Sequence, residues 1–327
     1  MRRNIDELSP HGRPRRGPAA GGVPVPRALP RRWRRRGRRA QVSAVATILG
    51  LLLVVTFIAT YLSTTLPSQM SVNDLNHDVL VENQVGRFST LVGLLTASDV
   101  LGGQTFAPIS LGSDGAPPFA NPDSAVLSPL SNLTGFYVNY TLLPSTSSTH
   151  LAVTTASLPG TGFFVNLRNT YAPAAEVAYD EGAVVFAQPG GTPLMEDPPA
   201  LSVTSGGAVS VVVPVFQGGI QTEAGTGTAV LGVRLLADQT LTFPSTGFSL
   251  ASGTNVVITV KTPYAAAWMN FLSSSLPTGT SVTCTGSNNI CSTTHAYASG
   301  GPVGKIVVSV SAVSLTVTQA YFAVTQS

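Results

Sequence analysis

The chain has 327 residues, only 10% of them charged, and a formal net charge of +3. That value averages two unlike pieces: residues 1–40 hold 13 arginines against Asp6 and Glu7, a balance of +11, whereas the other 287 residues hold 5 basic and 13 acidic groups, a balance of −8. The basic excess is therefore no nucleic-acid signature; the arginines abut an apolar span, which makes membrane lipid headgroups their partner and leaves no nucleic-acid partner expected.

Residues 1–40 are rich in Pro and Gly, carry no hydrophobic periodicity and read as a basic, disordered leader. A start codon placed too far upstream gives the same composition. From Gln41 to Asn73 there are 33 positions without Asp, Glu, Lys or Arg. The 24 residues Gln41–Thr64 extend roughly 36 Å as a helix, against a hydrocarbon core of about 30 Å. Apolar residues occur on every face, as a lipid-exposed span requires. Ser43, Thr47, Thr56 and Thr60 can bond back to the preceding turn, so they cost little in lipid. The arginine block holds the N-terminus in the cytoplasm and places everything after the span outside the cell, a single-pass topology.

Three readings of the arginine–apolar junction compete. A secretory signal wants a shorter apolar core followed by a small-residue cleavage site. A twin-arginine signal wants a Ser/Thr-Arg-Arg-x-Phe-Leu context that is absent. In the third reading, Arg39, Ala40, Gln41 and the following VSAVATILGLLLVV resemble the class III signal peptide of archaeal type IV pilins and archaellins. The resemblance implies a prepilin-type peptidase that cuts between Ala40 and Gln41 and leaves the apolar helix on the mature protein; an uncleaved anchor is the simpler alternative. Two departures stand out. The leader is longer than such leaders usually are, and the fifth mature residue is Val45, where bacterial type IV pilins place a glutamate; the second departure points to an archaeal relative.

Pro67 removes a backbone donor and should kink or briefly break the helix, with Ser68 as the next N-cap. From Gln69 to about Leu101 apolar residues recur as Val72, Leu75, Val79, Val85, Phe88, Val92 and Leu95, which predicts an amphipathic helix ending at Gly102-Gly103. A pilin uses its long N-terminal helix in this way, as filament core and then as spine of the head domain.

Residues 104–148 read as loop-rich with one strand, GFYVNYTLL. Beyond them the period turns to two: Val209, Val211, Val213 and Val215 share a face, with Pro214 on the other, and Val256, Ile258 and Val260 share another. Val308 and Val310 are on even positions but Val313, Leu315 and Val317 on odd ones, so a bulge or bend is expected near Ala312. Further strands are expected at LAVTTASL, GFFVNLRN, EVAYD, GAVVFAQ, TAVLGVRLLA and QAYFAVT, with one helix at Tyr264–Leu276. The expected fold is α+β: leader 1–40, transmembrane helix 41–66, amphipathic helix 67–103 and an antiparallel, sandwich-like extracellular β domain over 104–327. The run from NTYAPAAEVAYD through NVVITVKTP is similar to ectodomains of archaeal pilin-like surface proteins.

Cys284 and Cys291 flank a Gly-Ser-Asn-Asn loop and are expected to form a disulfide. Asn132 and Asn139 open two glycosylation sequons. His11, His77, His150 and His295 are scattered, and the sequence carries no nucleophile elbow, zinc-protease helix or phosphate loop. The acid pairs Asp180-Glu181 and Glu196-Asp197 read as solvated turn charges. No cofactor, metal site or catalytic activity is expected. The reading is a pilin-like filament subunit that self-associates through its N-terminal helix; the alternatives are a non-polymerising, membrane-anchored binding or adhesion protein and, third, an anchored enzyme.

Overall fold

The computed structural model describes residues 33–117, 119–130, 133–144, 149, 151–156, 162–251, 255–278, 280–286, 291 and 302–327. They fall into two compact units that divide between Ile58 and Ala59.

The first unit is dominated by helix α1, Trp33–Thr60. It starts eight residues before Gln41, so Trp33–Ala40, expected to be disordered, is helical. Arginine is a strong helix former, and once the apolar segment has nucleated a helix each further residue adds a bond at little cost. Its large apolar side chains from Val45 to Ile58 are all exposed, Leu53 and Phe57 by 70% or more. The Thr47 and Thr56 hydroxyls donate to the Ser43 and Leu52 carbonyls at 2.9 and 2.8 Å, which removes their polarity from the surface. Among the described residues this helical region is long and apolar enough to cross a membrane, and its apolar stretch is unburied.

The second unit opens with a π-helical turn, Tyr61–Thr65, and helix α2, Leu66–Ser98. Pro67 lies in the first turn of α2, and the wider π turn just before it is where the hydrogen-bond ladder departs from α geometry around the missing N–H. Ser68 is inside the helix rather than at its cap: Leu66 N–H already donates to the Tyr61 carbonyl, so the entry needs no side-chain cap. The helix ends on Asp99, which adopts the left-handed conformation at φ 48°.

Among the described residues the β domain contains three sheets. The first has the order β1 (Gln104–Ser110), β12 (Thr228–Phe243), β17 (Ser314–Gln326), β10 (Ala208–Gln217) and β9 (Leu201–Val203). The second runs β11 (Glu223–Gly225), β2 (Ala125–Pro129), β5 (Gly162–Leu167), β6 (Ala175–Asp180), β7 (Ala183–Ala187) and β8 (Leu194–Asp197). The third runs β13 (Phe248–Leu250), β3 (Gly135–Pro144), β14 (Asn255–Thr262), β16 (Gly304–Ser311) and β15 (Ser281–Thr285), with β4 (Leu151–Ala156) also on β3. One helix, α3 (Ala265–Ser275), follows β14. The protein is thus α+β, one long apolar helix followed by a mostly β domain.

The expected all-antiparallel pattern is corrected at one place: β10 and β17 pair in parallel, Ala208 to Ser314 through Gln217 to Ala323. The parity change near Ala312 is a change of sheet, since β16 belongs to the third sheet and β17 to the first. A register shift occurs elsewhere, in β12 between Leu235 and Ala237. Before it, odd residues Leu231, Val233 and Leu235 face the same core as α2; after it, odd Leu241 and Phe243 pack in the other core, and Asp238 and Thr240 take the α2 side. The stretch 104–148, expected to be mainly loop, also contains β1 and β2; β1 lies at a sheet edge, where Pro108 is tolerated.

Two apolar cores result. One joins Val209, Val211 and Val213 of β10 to Val138, Ile258 and Trp268. The other surrounds Phe88 of α2, whose ring meets Phe163, Tyr179 and Phe216 edge-on at 5.1, 5.1 and 5.9 Å. Strand β6 is buried along its whole length and contributes Ala178 to the first core and Val177 and Tyr179 to the second.

Candidate functional site

The buried face of α2 reads Met70, Asp74, His77, Asp78, Val81, Val85, Phe88 and Val92. The expected apolar face is therefore corrected over its first half: Val72, Leu75 and Val79 are exposed by 54%, 46% and 56%. Val72 and Val85 are 13 positions apart, which places them about 140° apart around the helix. Each half has an apolar stripe, on different faces, and the polar gap at Glu82–Gln84 marks the change.

Acids do the docking in the first half. Asp74 Oδ2 accepts the backbone N–H groups of Tyr171 and Ala172 at 3.0 and 3.2 Å. Asp78 accepts from Asn169 Nδ2 at 2.9 and 3.0 Å on its two oxygens, and Asn169 also donates to the Pro173 carbonyl. Gln84 Oε1 accepts Ser110 N–H at 2.7 Å, and His77 Nε2 lies 3.3 Å from the Ser110 carbonyl. These side chains satisfy polar backbone of the 169–173 loop and of β1 in part-buried hydrogen bonds. Burial raises the Asp78 carboxyl to a pKa of about 6, against the pull of Asn169, and burial lowers the His77 imidazole despite the Ser110 carbonyl.

A second polar cluster lies under α3. Asp180 Oδ2 accepts from Thr262 Oγ1 and from Trp268 Nε1 at 2.5 and 2.9 Å. The Tyr264 hydroxyl donates to Glu176 Oε1 at 2.6 Å. Asp180 and Glu181 are 0% and 1% exposed, which overturns their reading as solvated turn charges. They do flank a turn: Asp180 pairs with Ala183, and Glu181 and Gly182 both have positive φ, 51° and 90°, the geometry of a two-residue hairpin loop. The chain then folds β14 and α3 over that loop. Burial raises Asp180 to a pKa of about 6. Among the described residues no three His, Cys, Asp or Glu side chains are grouped to hold a metal.

A cleft of about 560 Å³ lies between the second half of α2 and the first sheet. One wall is Ser89, Gly93 and Thr96 of the helix. The floor follows two rows across the strands: Asp238 opposite Ala320 opposite Pro214, and Thr240 opposite Thr318 opposite Val212. The β12 register shift is what turns Asp238 and Thr240 toward it. Tyr179, 1% exposed, also lines the cleft.

Of the residues singled out by sequence, Arg39, Ala40 and Gln41 lie within the backbone of α1. Cys284 and Cys291 form the expected disulfide, with Cys284 in β15. Asn139 is in β3, where its Oδ1 accepts from Thr154 Oγ1 of β4 at 2.6 Å. Asn132, His11, His150 and His295 lie outside the described residues. The sequence reading missed the buried role of Asp74, Asp78 and Asp180; the one available signal was the i and i+4 spacing of Asp74 and Asp78 in an otherwise apolar helix register, and Asp180 in β6 had none.

The profile of a family of unknown function, DUF7289, matches residues 167–316, within the β domain. No curated protein matches the chain. Among solved structures, the ywiB protein from Bacillus subtilis aligns with 56% of this chain and 92% of its own at 7% identity, with a TM-score of 0.10, too low to bear on the fold.

Proposed function

We propose that this chain is a pilin-like structural subunit of an archaeal cell-surface filament. A prepilin-type peptidase removes the arginine-rich leader between Ala40 and Gln41. The helix from Gln41 to Thr64 then anchors the subunit in the membrane, with the sandwich-like β domain outside, and becomes polymer core when subunits leave the bilayer. Burial drives that step: apolar side chains withdrawn from lipid are re-buried against neighbouring helices. The observation that carries the reading is the unbroken exposed apolar surface from Val45 to Ile58, set directly after the arginine block. The Cys284–Cys291 disulfide suits an oxidising exterior, and Asn132 and Asn139 are the positions where glycans would attach.

N-terminal mass spectrometry of the natural protein tests this. The expected terminus is Gln41; a soluble product that begins downstream of Thr64 overturns it. The second reading, an anchored binding or adhesion protein that does not polymerise, is favoured by the cleft beneath α2. It requires an uncleaved N-terminus and a monomer in detergent.

A further inference from the structure

Charge is segregated within the β domain. No Asp or Glu occurs after Asp238, and none between Asp123 and Glu176. The strands of the third sheet, β3, β4, β13, β14, β15 and β16, all come from these acid-free stretches. They hold Lys261 and Lys305, the two lysines of the chain. The lysines are directly opposite each other across the β14–β16 pair, and like charges so placed destabilise a sheet. In a portion of the chain whose balance is −8, that costly pairing concentrates positive charge at one point, where an anion would relieve it.

Ile258, Val260, Ile306 and Val308 pack in a core, so Thr259, Lys261 and Lys305 point to the opposite face of the sheet. There the lysines border an open pocket of about 360 Å³, and no acid is among the described residues that line it. Beside them the lining is polar: Asn139, Thr154 and Thr259. The Tyr137 ring is an independent observation. It also lines the pocket and lies against Gly135, the residue paired with Lys261. A Cβ at Gly135 would come within 2.9 Å of the ring and of its hydroxyl, so the missing side chain is what leaves room for an aromatic surface beside the lysine row.

Two ammonium groups, one aromatic ring and a rim of hydroxyl and amide groups match an acidic sugar. Its carboxylate takes the charge-assisted contacts, a C–H face rests on the ring, and its hydroxyls meet the polar rim. A long polyanion would extend into the negative field of the rest of the domain, whereas a single carboxylate is neutralised within the pocket. We propose that this pocket binds a short saccharide with one uronate residue, the carboxylate between Lys261 and Lys305 and the sugar ring against Tyr137. The site rests on neither reading of the N-terminal helix. Such a sugar has two sources, free in the surroundings or attached at Asn139.

Titration calorimetry of the full chain in detergent, made without glycosylation, tests the proposal with cellobiouronic acid and with cellobiose, which lacks only the carboxylate. The uronate should bind with a Kd of about 1 mM or tighter, and cellobiose at least about tenfold more weakly. Lys305→Met should weaken the uronate about tenfold or more and leave the denaturation midpoint unchanged or higher, since it removes a like-charge pair. A lysine with a merely structural part would lower the midpoint instead. Tyr137→Leu should weaken the uronate about threefold or more. Equal binding of the two sugars, no binding of either, or displacement of the uronate by equimolar sodium sulfate or by a thymidine oligonucleotide overturns the proposal. Glycopeptide mass spectrometry of the natural protein separates the sources: a bare Asn139 assigns the pocket to a free sugar, a uronate-bearing glycan there assigns it to that glycan, and a neutral glycan overturns the proposal. The comparison of the two sugars needs only the wild-type chain, so a variant that misfolds does not blunt the test.

Discussion

The two halves of α2 dock on the same β domain by opposite means. Its second half uses the ordinary device, an apolar stripe of Val81, Val85, Phe88 and Val92 sunk into a core. Its first half buries Asp74, His77 and Asp78 and leaves Val72, Leu75 and Val79 in the open. The difference is set by what lies opposite. Where α2 meets strand side chains, apolar residues win; where it meets loop backbone at 169–173, acceptors for part-buried N–H groups win, because an amide withdrawn from water needs a partner whereas an exposed valine costs little.

The largest effect should come from the apolar half. Phe88→Ala removes a ring shared by Phe163, Tyr179 and Phe216 and should lower unfolding free energy by about 3–5 kcal/mol, read as a shifted denaturant midpoint. Asp74→Ala strands the Tyr171 and Ala172 amides and should cost about 1–3 kcal/mol; a loss as large as that of Phe88→Ala would mean that the seam carries the docking as much as the core does.

The acids also predict a pH dependence. Asp78 and Asp180 have folded pKa values of about 6 against an ordinary aspartate value of 3.8, so the folded state holds protons that the unfolded state has released. The stability they add is complete below their unfolded pKa and is lost as pH rises through 6. For the buried Asp180 the loss is on the order of 2–3 kcal/mol. His77, lowered by burial, acts in the opposite sense, adding stability above its unfolded pKa that falls away as pH drops through its folded value. Denaturation midpoints should fall between pH 4 and pH 7, and Asp180→Asn should flatten that slope.

Reducing the Cys284–Cys291 disulfide should cost at most about 2 kcal/mol, given its short loop. Smallest of all, Val79→Ser should change stability by less than about 0.5 kcal/mol, since the side chain is exposed. If the same substitution nonetheless weakens association between copies, the open stripe of the first half is an interface.

The sequence made the long apolar helix, the valine-rich strands β10 and β14 and the helix α3 legible, because each has a strong single period. It concealed β1 and β2, whose prolines and short alternation resemble a loop. The two-faced α2 was also concealed: a stripe of valines looks the same whether a core or only solvent faces it, and nothing local to Asp74 or Asp180 announces a distant N–H or indole partner. The cleft depends on the β12 register shift and on pairings between residues some 80 positions apart, such as Thr240 with Thr318, which no local pattern encodes.

Strand β17 occupies the middle of the first sheet, held by β12 on one side and β10 on the other. It is also the last strand to be delivered as the chain is made. Until residues 314–326 arrive, β12 and β10 have no neighbour between them, and neither core can close. A truncation that removes β17 therefore forfeits both cores at once rather than trimming an edge.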